Sequence, residues 1–199
     1  MKNILLIFCL LFLSFGFSQN KKCTIYFKDN TTLVGLGKIK SDELKFRVDK
    51  NSESEFIDAN LIDKVYIESG DENVTYQYNK IIEKDNYEWM KLEIKGTINL
   101  YTIIRSGYAV GPPTMGMGGG MMNTGGYSYS VSNYYINREG ENGVTKITSI
   151  GGFSKNFKKA ASEYFKDCPK LVELIQTKYY KKNEIEDIVR YYNTNCGVK

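Results

Sequence analysis

Leu44-Lys45-Phe46-Arg47-Val48 alternates apolar and charged side chains without interruption. Successive side chains of a strand point to opposite faces, so this stretch sets three apolar groups against two cations and reads as a half-buried β-strand. The period of two extends outward from it. Ile25 and Phe27 alternate in a first strand, and Asp29-Asn30 supplies a turn. Residues 32–39 follow as a strand in which Gly35 and Gly37 predict a bulge or a strong bend. Phe56-Ile57 and Val65 to Ile67 complete a first group, and Ser69 to Asn73 is a break. A second group of strands is expected over 74–82, 87–95, 97–105, 127–137 and 144–150. Lys95-Gly96-Thr97 and Glu139-Gly140-Glu141-Asn142-Gly143 between them carry turn residues.

After Gly151-Gly152 the period becomes helical. Ser154 is a candidate cap for a helix with Phe157, Ala161, Tyr164, Phe165 and Cys168 on one side. Pro169 stops it and opens the next, with Leu171, Val172, Leu174 and Ile175 apolar. Asn183 and Glu186 read as a capping box for a third, which turns Ile185, Ile188, Val189 and Tyr192 inward. The fold class is therefore α+β: mainly antiparallel β, as a sandwich or small bent barrels, followed by a short three-helix C-terminal segment packed on the sheet. The first group, a strand, a glycine-bent strand and Leu44-x-Phe46-x-Val48, resembles the small barrels of SH3-like and Sm-like type. The Asp and Asn residues of an Sm nucleotide pocket have no counterpart here, so the resemblance implies fold alone.

The N-terminus reads as an address. Lys2, the apolar run Ile4 to Leu13 and the small residues to Ser18 match a secretory signal peptide, with cleavage between Ser18 and Gln19. The run is shorter than the roughly 20 residues that span a bilayer, which disfavours an anchor. Residues 1–18 are thus a signal peptide, 19–150 a β-rich domain and 151–199 the helical segment. The chain is expected to be exported, to the periplasm or the cell exterior, soluble or peripheral to the outer membrane. It is not read as an integral membrane protein.

The 27 basic residues less Lys2 face 23 acidic ones, and no Lys/Arg-rich run reads as a nucleic-acid patch. Histidine is absent, which excludes Ser-His-Asp and Cys-His catalysis and His-ligated zinc. The carboxylates Asp42-Glu43, Asp71-Glu72 and Glu184-Glu186-Asp187 fall in turns or on exposed helix faces. No enzyme activity and no cofactor is expected. Cys9 leaves with the signal, and Cys23, Cys168 and Cys196 allow one bridge and one spare thiol. Cys168 and Cys196 are paired because both lie in the helical segment, where a bridge staples its ends. Asn20-Lys21-Lys22 before Cys23 is not a lipidation pattern.

Residues 107–126 have two readings. One is a flexible Gly/Met-rich hairpin insert. In the other, Met115, Met117, Met121 and Met122 form a thioether cluster for Cu(I). The 16 tyrosines suit partner or glycan contact as well as ordinary strand and helix positions, and Trp89 is expected in the core.

The C-terminal half carries a second likeness. Gly96 to Tyr101, Tyr134-Tyr135-Ile136-Asn137-Arg138, Tyr164-Phe165-Lys166-Asp167-Cys168-Pro169, and Ile188 to Asn193 with Cys196 resemble uncharacterised exported, signal-peptide-bearing proteins of Bacteroidetes-type bacteria. In some of these a similar module precedes an outer-membrane barrel. That resemblance implies location and fold unit and brings no activity. The sequence thus points to a non-catalytic cell-envelope protein with a protein or surface-glycan partner, or to periplasmic Cu(I) handling by the Met-rich loop.

Overall fold

The computed structural model describes residues 20–70, 72–110, 114–115, 121–122, 126–152 and 156–197. The expected signal peptide, Met117 and Ser154 lie outside the described residues. The strands are β1 (Lys21–Phe27), β2 (Thr32–Ile39), β3 (Glu43–Arg47), β4 (Glu55–Asp58), β5 (Ile62–Ser69), β6 (Glu72–Ile81), β7 (Asn86–Ile94), β8 (Ile98–Val110), β9 (Thr114–Met115), β10 (Met121–Met122), β11 (Gly126–Arg138) and β12 (Thr145–Ile150). Ten of them form one antiparallel sheet in the order β12-β11-β8-β7-β6-β5-β1-β2-β3-β4, while β9 and β10 pair separately. The helices α1 (Phe157–Tyr164), α2 (Pro169–Gln176) and α3 (Ile185–Asn195) follow, as the α+β reading requires.

One row of cross-strand partners explains how so long a sheet finds a core. Ile25, Val65, Tyr76, Lys91, Thr102 and Tyr134 oppose one another in turn across β1, β5, β6, β7, β8 and β11. Cross-strand partners share a face, so this row defines a front. Its first end is curled: after a 3-10 turn at Ala59–Leu61, β5 returns to the free edge of β1. Ile25, Leu44, Phe46 and Val65 are fully buried inside that curl. At the other end the helices cover the front, burying Leu100 and Ile136 under Phe165, Leu171, Ile175, Ile188 and Val189.

The back is used by the second half of the sheet. Met90, Tyr101 and Tyr135 face rearward and pack with Ile81 and Val144. A parallel bridge between Ile81 and Val144 joins the end of β6 to the residue before β12. Because β7, β8 and β11 lie between those strands in the sheet, the bridge closes this half into a ring. The chain is thus two small curls of opposite hand-side, one closed over the front and one over the back, sharing a continuous sheet.

Several local expectations change. The ladder of β2 to β1 is regular through Gly35 and Gly37 and that to β3 through Gly37, so of the expected bulge or bend no bulge occurs there. A Cβ on Gly35 would stand 2.5 Å from the Phe46 ring, and one on Gly37 2.6 Å from Cys23 Sγ. These glycines make room for neighbouring side chains. Strand β3 ends at Arg47, and Val48 is 63 % exposed. Asp49 accepts the N–H groups of Asn51 and Ser52 at 2.7 and 2.9 Å and turns the chain there. Residues 107–110, read as part of the mobile insert, are strand, paired with 126–129 of β11. Helix α1 is entered through Asn156 at φ 55°, whose side chain makes no capping bond. The third helix starts at Ile185 and is not entered through an Asn183/Glu186 capping box. A 3-10 turn at Lys182–Glu184 precedes it, and the Glu184 carboxylate accepts the Lys181 N–H at 2.8 Å.

Candidate binding groove

Between the curl and the helices the middle of the front stays open. Strands β7 and β8 are paired only through Lys91–Thr102, Leu92–Tyr101 and Ile94–Leu100. Beyond Thr102, β8 runs on to Val110 with β11 as its sole ladder partner among the described residues. A groove of about 440 Å³ opens where the two strands part, within the roughly 300–1,000 Å³ of ligand sites. Tyr76, Trp89, Lys91, Thr102 and Ile104 stand in it from the sheet, and Gly37, Lys38, Ile39, Ile67 and Lys21 from the mouth of the first curl.

None of the described lining residues is acidic, whereas three are lysines. Lys91 donates to Glu93 at 2.8 Å, and that bond raises its pKa above the ordinary lysine value. Lys21 donates to Ser69 Oγ at 3.0 Å. Two polar atoms at the groove are buried without a hydrogen-bond partner among the described residues: Trp89 Nε1 and Thr102 Oγ1. Thr102 is only 4 % exposed, and an unsatisfied buried hydroxyl costs about 1–3 kcal/mol. Trp89 is half-buried against the first core, with its ring 5.3 Å from that of Tyr78. It is part core, as expected, and part groove wall. Lys21, Lys38 and Lys91 meet only through the ladder register and carry no common sequence signal.

The residues singled out from sequence lie elsewhere. The β9–β10 pairing sets Met115 opposite Met121 and Met122 opposite Thr114. Cys168 and Cys196 are bridged, with their Cα atoms 5.8 Å apart. Cys23 is a core residue whose thiol burial pushes up to about 11, so it is not a reactive thiolate. Among the exposed tyrosines, Tyr129 lies over Gly107, where a Cβ would be 2.7 Å from its hydroxyl.

A second polar cluster escaped the sequence reading as a unit. Arg138 donates to both Asp167 oxygens at 2.7 Å, to Tyr192 Oη at 2.7 Å and to the Tyr164 carbonyl at 2.8 Å. Tyr192 also donates to Asp167, at 2.5 Å. The Arg138 bond holds the Asp167 carboxyl well below the usual carboxylate range. Burial, then the bond to Glu141, pushes the Tyr164 hydroxyl far up. Asn193 clamps β8 from α3 nearby, accepting the Ile98 N–H at 2.8 Å and donating to its carbonyl at 2.9 Å. With Cys168–Cys196 beside them, these residues form a joint that locks helices to sheet. The bonds fix the Arg138, Asp167 and Tyr192 side chains against one another within the joint.

No protein family, curated protein or solved structure matches the chain in comparison.

Proposed function

We propose that the chain is a non-catalytic, exported protein of the cell envelope that binds a protein or glycan partner in the central groove. The observation that carries this reading is the groove itself: aromatic and aliphatic walls, three lysines and no lining carboxylate. Such a surface suits recognition of an apolar ligand bearing negative charge. Two further facts support binding over catalysis. The chain has no histidine, and the carboxylates with resolved pKa shifts are all displaced downward, away from general acid–base duty. Trp89 is the one tryptophan of the chain and lines the groove, so its emission reports occupancy. Titration with an acidic peptide and with polygalacturonate should shift that emission for at least one of them. A Lys21→Gln/Lys38→Gln/Lys91→Gln variant should lose the response. No response from either probe overturns the reading. Export is tested separately: the mature chain should begin at Gln19 in a periplasmic or culture fraction, and a cytosolic chain retaining Met1 sinks it.

The Met115–Met121 register pair supports a second reading, Cu(I) handling. A competition titration under reducing conditions should show Met115→Leu/Met121→Leu binding Cu(I) more weakly than the native chain. Equal affinity rejects it.

A further inference from the structure

From Ser106 to Asn137 the chain holds no Asp, Glu, Lys or Arg, although 25 % of its residues are charged. Both charges that bound this stretch are neutralised by partners: Arg105 pairs with Glu88 of β7, and Arg138 with Asp167. Within those limits β8 and β11 run out of the sheet as a ribbon. The β7 ladder ends at Lys91–Thr102 and the β12 ladder at Ser132–Ile150. Beyond both, β8 and β11 pair only with each other among the described residues, in unbroken register to Val110–Gly126. Even-numbered residues of the ribbon therefore share the front with Thr102, and odd-numbered ones take the rear. Tyr108 and Val110 are 67 and 65 % exposed in front, and Tyr127 and Tyr129 64 and 45 % behind. Each face carries a ring laid over a glycine of the other strand, Tyr108 over Gly126 and Tyr129 over Gly107. Ser106, Ser128 and Ser130 complete the front.

We propose that this ribbon docks the chain on a lipid surface, its outer end dipping into the headgroup region of a bilayer with Tyr108, Val110, Tyr127 and Tyr129 in contact with lipid. The site is separate from the groove and does not depend on it. Three properties select the occupant. Aromatic groups exposed on both faces call for a medium that surrounds the ribbon, whereas one partner protein laid against it covers one face. The lack of charge removes the largest cost of entering a membrane. Tyrosine, with an apolar ring and a polar tip, is enriched where bilayer meets water. The backbone sets the depth. A two-stranded ribbon has unpaired N–H and C=O groups along its edges, and hydrocarbon does not tolerate open edges. The ribbon thus rests in the interface and does not span the bilayer.

The test is flotation of the full mature chain with phosphatidylcholine vesicles, which carry no net charge. The expected result is binding that persists in about 1 M salt, where charges are screened beyond about 3 Å. Tyr108→Ser/Val110→Ser/Tyr127→Ser/Tyr129→Ser should lower partitioning about tenfold or more, since interfacial binding scales with the apolar area buried. Val34→Ser/Val48→Ser is the control, because those side chains are as exposed but belong to the first curl; it should float like the native chain. A second readout needs no variant. Lipid spin-labelled near its headgroup should broaden the amide resonances of residues 106–110 and 126–130 in the native chain and spare those of β1 to β5. Broadening centred elsewhere overturns the proposal, as does equal flotation of the ribbon variant. Binding to anionic phosphatidylglycerol vesicles alone, lost in salt, replaces it with plain charge attraction. A native dimer that the ribbon variant dissolves, with no flotation, overturns it in favour of a second copy. No flotation up to about 10 mM lipid, well beyond what one myristoyl chain needs, overturns it too. None of these outcomes touches the groove, which Trp89 reports separately.

Discussion

Arg138 keeps its charge throughout the pH range of a folded protein, so the pair it forms with Asp167 is switched by the carboxylate alone. The folded pKa of Asp167 lies below the unfolded value of about 3.9. The pair therefore contributes its full stability above that unfolded value and loses it as pH falls through the folded one. Asp167 is 45 % exposed, and water screens the interaction, so its worth is set at about 1 kcal/mol. Asp167→Asn should cost about that much at neutral pH and flatten the stability profile below pH ~4, measured by urea unfolding. An unchanged acid slope would place the titration elsewhere. The amide of Asn193 is a cleaner case, because both its bonds go to the Ile98 backbone. Asn193→Ala leaves those two main-chain groups unpaired and should cost about 2 kcal/mol. A loss under half a kilocalorie, by the same measurement, would mean that the clamp is replaced by water at little cost.

At the scale of elements, the C-terminal helices are short, eight, eight and eleven residues, and helices of that length are marginal alone. What fixes them is the apolar stripe on Leu100 and Ile136 and the Cys168–Cys196 bridge, which spans 28 residues. A loop of that size stabilises by about 3.6 kcal/mol in the chain-entropy model. Cys168→Ala/Cys196→Ala should lose about that, and hydrogen exchange should show α3 opening before β1 to β5. Simultaneous opening of sheet and helix would show one cooperative unit. These helices were legible because Ile185, Ile188, Val189 and Tyr192 repeat at helical spacing, and Pro169 marks a start whatever the tertiary context. Their caps were not. Ser/Asn capping patterns compete with 3-10 entry and left-handed residues such as Asn156, which depend on how the chain arrives from the sheet. The strands were legible for the same reason as the helices, through period alone. Where β8 outruns β7 was not, since a ladder's end leaves no mark in either strand's alternation. The groove was illegible with it.

At the scale of the molecule, the break at Ser69 to Asn73 misled as to continuity. Gly70 at φ 66° makes a tight reversal, and β5 and β6 stay paired up to Ser69–Glu72. Turn residues announce reversal and say nothing of whether the sheet goes on. Two opposite curls then follow from one alternation, since apolar groups occur on both faces: Ile25 and Val65 in front, Met90 and Tyr101 behind. The rear curl depends on its closure. Val144 donates to the Lys80 carbonyl at 2.7 Å, and Ile82 donates to the Val144 carbonyl at 3.1 Å. Gly143 sits at φ 124°, and a Cβ there would stand 2.8 Å from that same Lys80 oxygen. Gly143→Ala therefore adds backbone strain and a clash at the Lys80 carbonyl, one of the two acceptors that close the ring. It should cost about 2–3 kcal/mol and strip exchange protection from the Ile82 and Val144 amides before the rest of the sheet. Gly140→Ala is the control, because Gly140 has φ 88° but nothing within 4 Å of an added Cβ. It carries strain without the clash and should cost less while leaving both amides protected. Equal cost in the two variants, with Ile82 and Val144 still protected, would show that strain alone acts at Gly143. The ring would then be held by Met90, Tyr101 and Tyr135 packing, with the bridge incidental to it.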